Sequence, residues 1–319
     1  MRFTATLSLT FALWATALPA ADPALLRLIP SDAAFVAGIH ADQIRNSRFG
    51  QYLLDQLRSE QASMDKFISA TGFDPRRDLS ELIVSSNDVK AKGHGLVVAR
   101  GRFDSARIQT FAESEGARAE LYNGVKILSG GSNNNSGIAM LDNTTAVAGD
   151  AAAVRLTIDR FRSTTATGLN AKTLAQIGQL SSTYDAWMVS SSLARIADDM
   201  RSPQLEGAMN GNLFQSMDSV AGGVRFGSAN VEVMAEAAMR SEKDATAMVD
   251  VIRFLAGMIQ LNSKDPNAAE MASLLNKMEL KATGTQFRMS LQIPEDQLEK
   301  MVKPARRGNR TVRENAPVI

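Results

Sequence analysis

The chain has 319 residues, with 35 Lys+Arg against 34 Asp+Glu, 45% hydrophobic residues, 6% aromatic residues and no cysteine. A chain this apolar and charge-balanced can bury a core, which excludes a disordered polymer. A charge near zero gives no global field for nucleic acid, and the lack of cysteine excludes a disulfide framework, a thiolate metal site, an iron–sulfur cluster and a cysteine nucleophile.

Met1-Arg2 supplies a positive charge, Phe3 to Leu18 an apolar stretch, and Pro19-Ala20-Ala21 a small-residue exit, which is the pattern of a secretory signal peptide. Cleavage is expected after Ala20 or Ala21. The apolar run is interrupted by Thr4, Thr6, Ser8, Thr10 and Thr16 and is at the short end of the ~17–25 residues that span a bilayer. Losing this leader removes Arg2 and Trp14, so the remaining chain has 34 basic and 34 acidic residues and Trp187 as its one tryptophan. The expected location is the periplasm or the cell exterior.

The body reads as an α+β pattern written twice. Ala34–His40 is a first strand, after which Phe49, Leu53, Leu54, Leu57, Met64, Phe67 and Ile68 recur at helical spacing up to a stop at Gly72. Asp74-Pro75 is an N-cap followed by proline at the first helical position. Strands over Glu81–Ser86 and Gly95–Gly101 come next, then a helix from the cap Asp104 to Gly116. Strands near 118–122, 125–129, 137–141 and 145–148 follow, joined in part by the turn-rich Gly130–Gly137, and the helix 150–162 ends the first unit. The second unit has a strand over Tyr184–Ser190, a helix at Leu193–Met200, and strands at Asp218–Phe226 and Asn230–Met239. Helices follow at 244–262 and 266–277, then strands at 279–283 and 285–293, and a last helix from Pro294. In the strand Asn230–Met239 the alternation of Val231, Val233, Ala235, Ala237 and Met239 with Glu232 and Glu236 implies one buried face. The expected architecture is two tandem copies of a strand-helix-two strands-helix-strands-helix unit, as antiparallel sheets with helices on one face. The expected divisions are a leader at 1–21, repeats at 22–166 and 167–303, and a basic disordered tail at 304–319.

At Leu28-Ile-Pro-Ser-Asp-Ala-Ala34, and again at Thr71-Gly-Phe-Asp-Pro-Arg-Arg-Asp-Leu-Ser80, the chain resembles a set of exported bacterial proteins of no assigned function. These open with a proline–aspartate strand after the signal and carry a Gly-x-Asp helix start. The resemblance covers about the first third of the chain and implies a bacterial envelope setting. It supplies no catalytic residues.

Chemistry-bearing patterns are sparse. His40 ends a strand with Asp42 two residues on, a pair that could act as base and orienting carboxylate, although a strand-end histidine needs no such role. His94 lies between two glycines, a poor mount for a catalytic group. No HExxH or Asp-x-Asp-x-Asp spacing is present, so no metal or other cofactor is implied. Ser63-Met-Asp-Lys66 matches the Ser-x-x-Lys spacing of acyl enzymes, but no Lys-Thr-Gly follows. A serine hydrolase on Ser63 and Lys66 is therefore one alternative, and a purely structural envelope component is another.

The main expectation is a non-enzymatic exported protein that binds a protein partner, a second copy of itself or an apolar ligand through helices of its second half. Twelve of the fifteen methionines lie between Met188 and Met301, and methionine is over-used at adaptable binding surfaces. The apolar arc of helix 244–262 is wider than one buried stripe requires. The candidate binding residues are Met248, Ile252, Leu255, Met258 and Ile259, with Met271 and Leu275 on the next helix. The tail Lys303–Arg313 offers a weak contact with an anionic surface.

Overall fold

The computed structural model of the chain describes residues 20–56, 61–87, 95–130, 135–163, 168–191, 213–261 and 273–302. Its strands are β1 (Phe35–His40), β2 (Leu79–Ser86), β3 (Gly95–Gly101), β4 (Arg118–Tyr122), β5 (Val125–Ser129) and β6 (Ser136–Met140). They continue as β7 (Thr145–Asp150), β8 (Ala186–Ser190), β9 (Met217–Phe226), β10 (Asn230–Met239), β11 (Glu279–Thr283) and β12 (Gln286–Pro294). The helices are α1 (Pro23–Leu26), α2 (Ala41–Asn46), α3 (Arg48–Gln56), α4 (Gln61–Thr71) and α5 (Pro75–Asp78). After these come α6 (Ser105–Ser114), α7 (Ala151–Arg162), α8 (Ala171–Ser181), α9 (Glu242–Leu261) and α10 (Glu295–Val302).

The strands form one 12-stranded sheet in the order β4-β5-β6-β7-β3-β2-β1-β8-β9-β10-β12-β11. Every pairing in it is antiparallel. Local chemistry sets many of the boundaries. Asp74 accepts from Arg76 N at 2.9 Å with Pro75 in the first turn, and Asp104 accepts from Arg107 N at 3.1 Å. Asp150 accepts from Ala152 N at 2.9 Å, satisfying an amide that a helix start leaves open. Gly72 and Gly116, at φ 74° and 88°, end α4 and α6 in the left-handed region that glycine adopts without strain.

Helices cover both faces of the sheet, against the expectation of one. On the first face, Val36, Ile83, Val98, Val147, Trp187, Ala221 and Met234 pack with Leu25 of α1, Val154 and Ile158 of α7, and Ile177 and Leu180 of α8. On the opposite face, Ala237 and Phe287 pack with Ala245, Met248 and Val249 of α9. Phe103, Ile108 and Ala146, joined by Phe73 and Ala99, form a smaller cluster there. Strand β10 accordingly buries Met234 on one side and Ala237 on the other. Its glutamates do not mark a wet face: Gln176 of α8 reaches Glu236. Helix α8 is an element that the sequence reading did not identify. Asn170 caps it by accepting from Thr173 N at 2.9 Å, and Ile177 is fully buried. Conversely, the segment read as a helix at Leu193–Met200 lies outside the described residues, as do His94 and most of the helix read at 266–277.

Strands β1 and β8 meet at the sheet centre, where Gly38 is the register partner of Trp187. The indole occupies the volume a side chain at residue 38 would need, since a Cβ there would lie 2.3 Å from Trp187 Cζ2. Gly38→Ala is therefore expected to cost about 1–3 kcal/mol by overpacking. The loss would appear as a lower urea midpoint followed by Trp187 fluorescence, and an unchanged midpoint would contradict the contact.

Candidate functional site

A row of polar side chains runs across the buried first face at one end of the central strands. His40 is the register partner of Glu81, Glu81 of Arg100, and Arg100 of Thr145, so four adjacent strands place these residues side by side. His40, Glu81 and Thr145 are 5%, 7% and 2% exposed. The start of the described chain lies over them. Ala21 N donates to Ser181 Oγ at 2.9 Å, and Asp22 N approaches the two Glu81 carboxylate oxygens at 3.3 and 3.2 Å. The Asp22 carboxylate caps α1 through Ala24 N at 2.7 Å and accepts from Arg100 Nε and Nη2 at 3.0 and 2.5 Å. Arg100 Nη1 donates onward to Thr145 Oγ1 at 2.7 Å. On the far side, His40 Nε2 lies 3.2 Å from Ser181 O, and His40 N donates to Asp185 O at 2.8 Å.

Burial favours the uncharged form of each of these groups, raising the carboxyls and lowering the imidazole. It pushes Glu81 up to about 7, reinforced by the Asp22 charge and opposed by the Asp22 N–H and Arg100. It pushes His40 down, against the Ser181 carbonyl and the charges of Asp185 and Asp42. It also raises Asp185, whose carboxylate accepts from Phe226 N at 2.6 Å. Ala21 and Asp22 close over the Glu81 end of the row, with their backbone nitrogens on Ser181 and Glu81.

Beside the row, an open cleft of about 620 Å³ lies between the α2–α3 turn, the α8–β8 turn and the β9–β10 hairpin. Asn46, Arg48, Thr183, Asp185, Arg225 and Ser228 are among its lining residues. Arg225 pairs with Glu232 and Arg45 with Asp42, so the Asp42 carboxylate proposed to orient His40 is engaged elsewhere. Among the described residues no group of three or more His, Asp or Glu side chains is placed to hold a metal ion.

The residues named for binding divide along α9. Met248 is buried at 4% in the cluster under the helix, so it belongs to the core, and Ile252 packs against that cluster. Leu255 is half-buried, whereas Met258 is 45% exposed beside Phe254, which is 55% exposed. Leu275 is half-buried next to the fully buried Leu274. Met271, the tail Lys303–Arg313 and the side chains of Ile259 and Ser63 lie outside the described residues. Lys66 Nζ donates to Glu115 Oε1 at 2.8 Å on the exposed side of α4. Sequence reasoning named His40 but missed Glu81, Arg100, Ser181 and Asp185. The available signal was a polar residue at the inward position near the end of each of several strands.

The sign of the Glu81 effect follows from its raised value. The folded state holds the proton more tightly than the unfolded chain, so stability is full below pH 4.5 and falls as pH rises through about 7. Roughly 3 kcal/mol is at stake over that window. While residue 21 remains amide-linked to the residues before it, Glu81→Gln is expected to raise the denaturant midpoint at pH 8 and leave it unchanged at pH 4. A lower midpoint at pH 8 would contradict the assignment.

No family model matches the chain, and no curated protein matches it in sequence. Among solved structures it is similar to crystal form III of TP0453, with a TM-score of 0.54 and 9% identity over 88% of this chain and 97% of that one. Crystal form I of TP0453 gives a TM-score of 0.51 and 9% identity over 87% and 96%. At that identity the likeness is one of fold: mixed helices and strands built on a large antiparallel sheet.

Proposed function

We propose that the protein is an exported, non-enzymatic component of the bacterial envelope, a scaffold that docks a protein partner through the carboxyl-terminal turns of α9. The observation that carries this is the pair Phe254 and Met258, 55% and 45% exposed, one helical turn apart on a helix whose earlier apolar residues pack on the sheet. Burying two large apolar side chains contributes about 1.5–3 kcal/mol each, and methionine adapts readily to a partner's shape. Export is supported by Arg2, the apolar stretch and the Pro19-Ala20-Ala21 exit, with α1 starting at Pro23 directly after it. The resemblance to exported bacterial proteins at Leu28–Ala34 points the same way, and an anionic envelope surface suits the cations of Lys303–Arg313. The hydrolase alternative has less support, because Lys66 is engaged by Glu115 and His40 is buried with its Nε2 at the Ser181 carbonyl.

The same reading takes the fold as a duplicated unit with its seam between α7 and α8. Strand order supports it. α1 leads into β1 and α8 into β8, and these two strands pair at the sheet centre. Outward from them run the hairpins β2-β3 and β9-β10, followed by α6 and α9. The chain then returns so that β7 lies beside β3 and β12 beside β10, with α7 and α10 after them. The first unit has one additional hairpin, β4-β5, at its edge.

Phe254→Glu combined with Met258→Glu should leave the unfolding free energy within about 0.5 kcal/mol, as for ordinary surface substitutions. It should also abolish the protein adduct captured in envelopes by a photo-reactive residue at position 255. An adduct that persists in the double variant, or never forms with the unmodified helix, would defeat the docking reading in favour of a purely structural role.

A further inference from the structure

The chain passes from an exposed Ala20 to an Ala21 that is 3% exposed, so the two bonds marked by the small-residue exit flank the point where it enters the fold. Both nitrogens there are already seated on oxygen acceptors: Ala21 N on Ser181 Oγ at 2.9 Å, and Asp22 N on the two Glu81 oxygens at 3.3 and 3.2 Å. An amide has one hydrogen to share between two oxygens, whereas an ammonium has three and carries the opposite charge. Arg100, the register partner of Glu81 on β3, is held by Asp22 and Thr145. Among the described residues no cation is paired with Glu81, and a buried carboxylate without one is costly.

We propose that this end of the sheet is the receptor for the protein's own processed amino terminus. The α-ammonium freed by leader removal, at Ala21 or Asp22, becomes the counter-ion of the Glu81 carboxylate. The inference rests on the export reading above. A cut after Ala21 puts the ammonium directly on Glu81. A cut after Ala20 puts it on Ser181 Oγ, one residue away, with the Asp22 N–H still on the carboxylate. In either case hydrolysis of one peptide bond turns an amide neighbour of a buried acid into a cation. Removing the leader thereby strengthens the joint among α1, α8 and strands β1 to β3, and a chain that keeps its leader carries Glu81 protonated or unpaired.

Two measurements test this. The first is the intact mass of the protein recovered from the envelope of its bacterium, which should give Ala21 or Asp22 as the first residue. A retained leader, or a start at any other residue, would overturn the inference while leaving the envelope location standing, whereas recovery of the protein in the cytosolic fraction alone would overturn the export reading and the inference together. The second compares a chain with a free amine at that residue and a chain carrying a short amide-linked extension, each with Glu81 and with E81Q, by denaturant midpoint at pH 7. With the extension, E81Q should raise the midpoint; with the free amine, it should lower it. The Glu81 carboxyl, followed by carbon-13 NMR, should also titrate at lower pH in the free-amine chain. The same sign of E81Q effect in both chains, or an unmoved titration, would overturn the pairing while leaving export intact.

Discussion

Gly38 has no side chain, and Trp187, its partner on the neighbouring strand, lies across the space this leaves. Among the described residues, β1 with β8 is the strand pairing that joins the strands before residue 163 to those after residue 168. Any Cβ at residue 38 would force the indole to shift, and an aromatic ring of that size dominates the energetics of the core it enters. The packing of this central joint therefore depends on one missing side chain. The indole Nε1 is buried without a hydrogen-bond partner, so packing holds the ring and polar anchoring does not.

A second joint reinforces the first. The segment from Ala21 to Ile29 lies on the same face, with Leu25 and Ile29 fully buried. It is tied to α8 through Ser181 and to β2 and β3 through Glu81 and Arg100. Leu25, Leu28 and Ile29 make this segment part of the core.

Much of the first half was legible because its boundaries are set locally. Asp74 with Pro75, Asp104, Asp150, Gly72 and Gly116 act within a few residues of their own positions, and each did what its type implies. Helix α8 was missed because Leu174, Ile177 and Leu180 are set among polar residues and capped by an asparagine inside a stretch taken for a seam. The one-sided sheet was a misreading of β10: Glu232 and Glu236 alternate cleanly in sequence, but α8 covers part of their face, and Met234 on it is 2% exposed. The polar row was not legible at all. Its members lie on four strands, and only the register brings His40, Glu81, Arg100 and Thr145 together. The wide apolar arc of α9 was legible, but its division into a buried start and an exposed end depends on how far the sheet extends beneath it.

These contacts imply that the amino-terminal segment and the β1–β8 pair unfold as one cooperative unit. Native-state hydrogen exchange followed by mass spectrometry tests it most directly. Peptides covering residues 23–29, 35–40 and 186–190 should exchange last and together, at the rate of global unfolding. Early exchange of residues 23–29 while the two central strands remain protected would contradict the account.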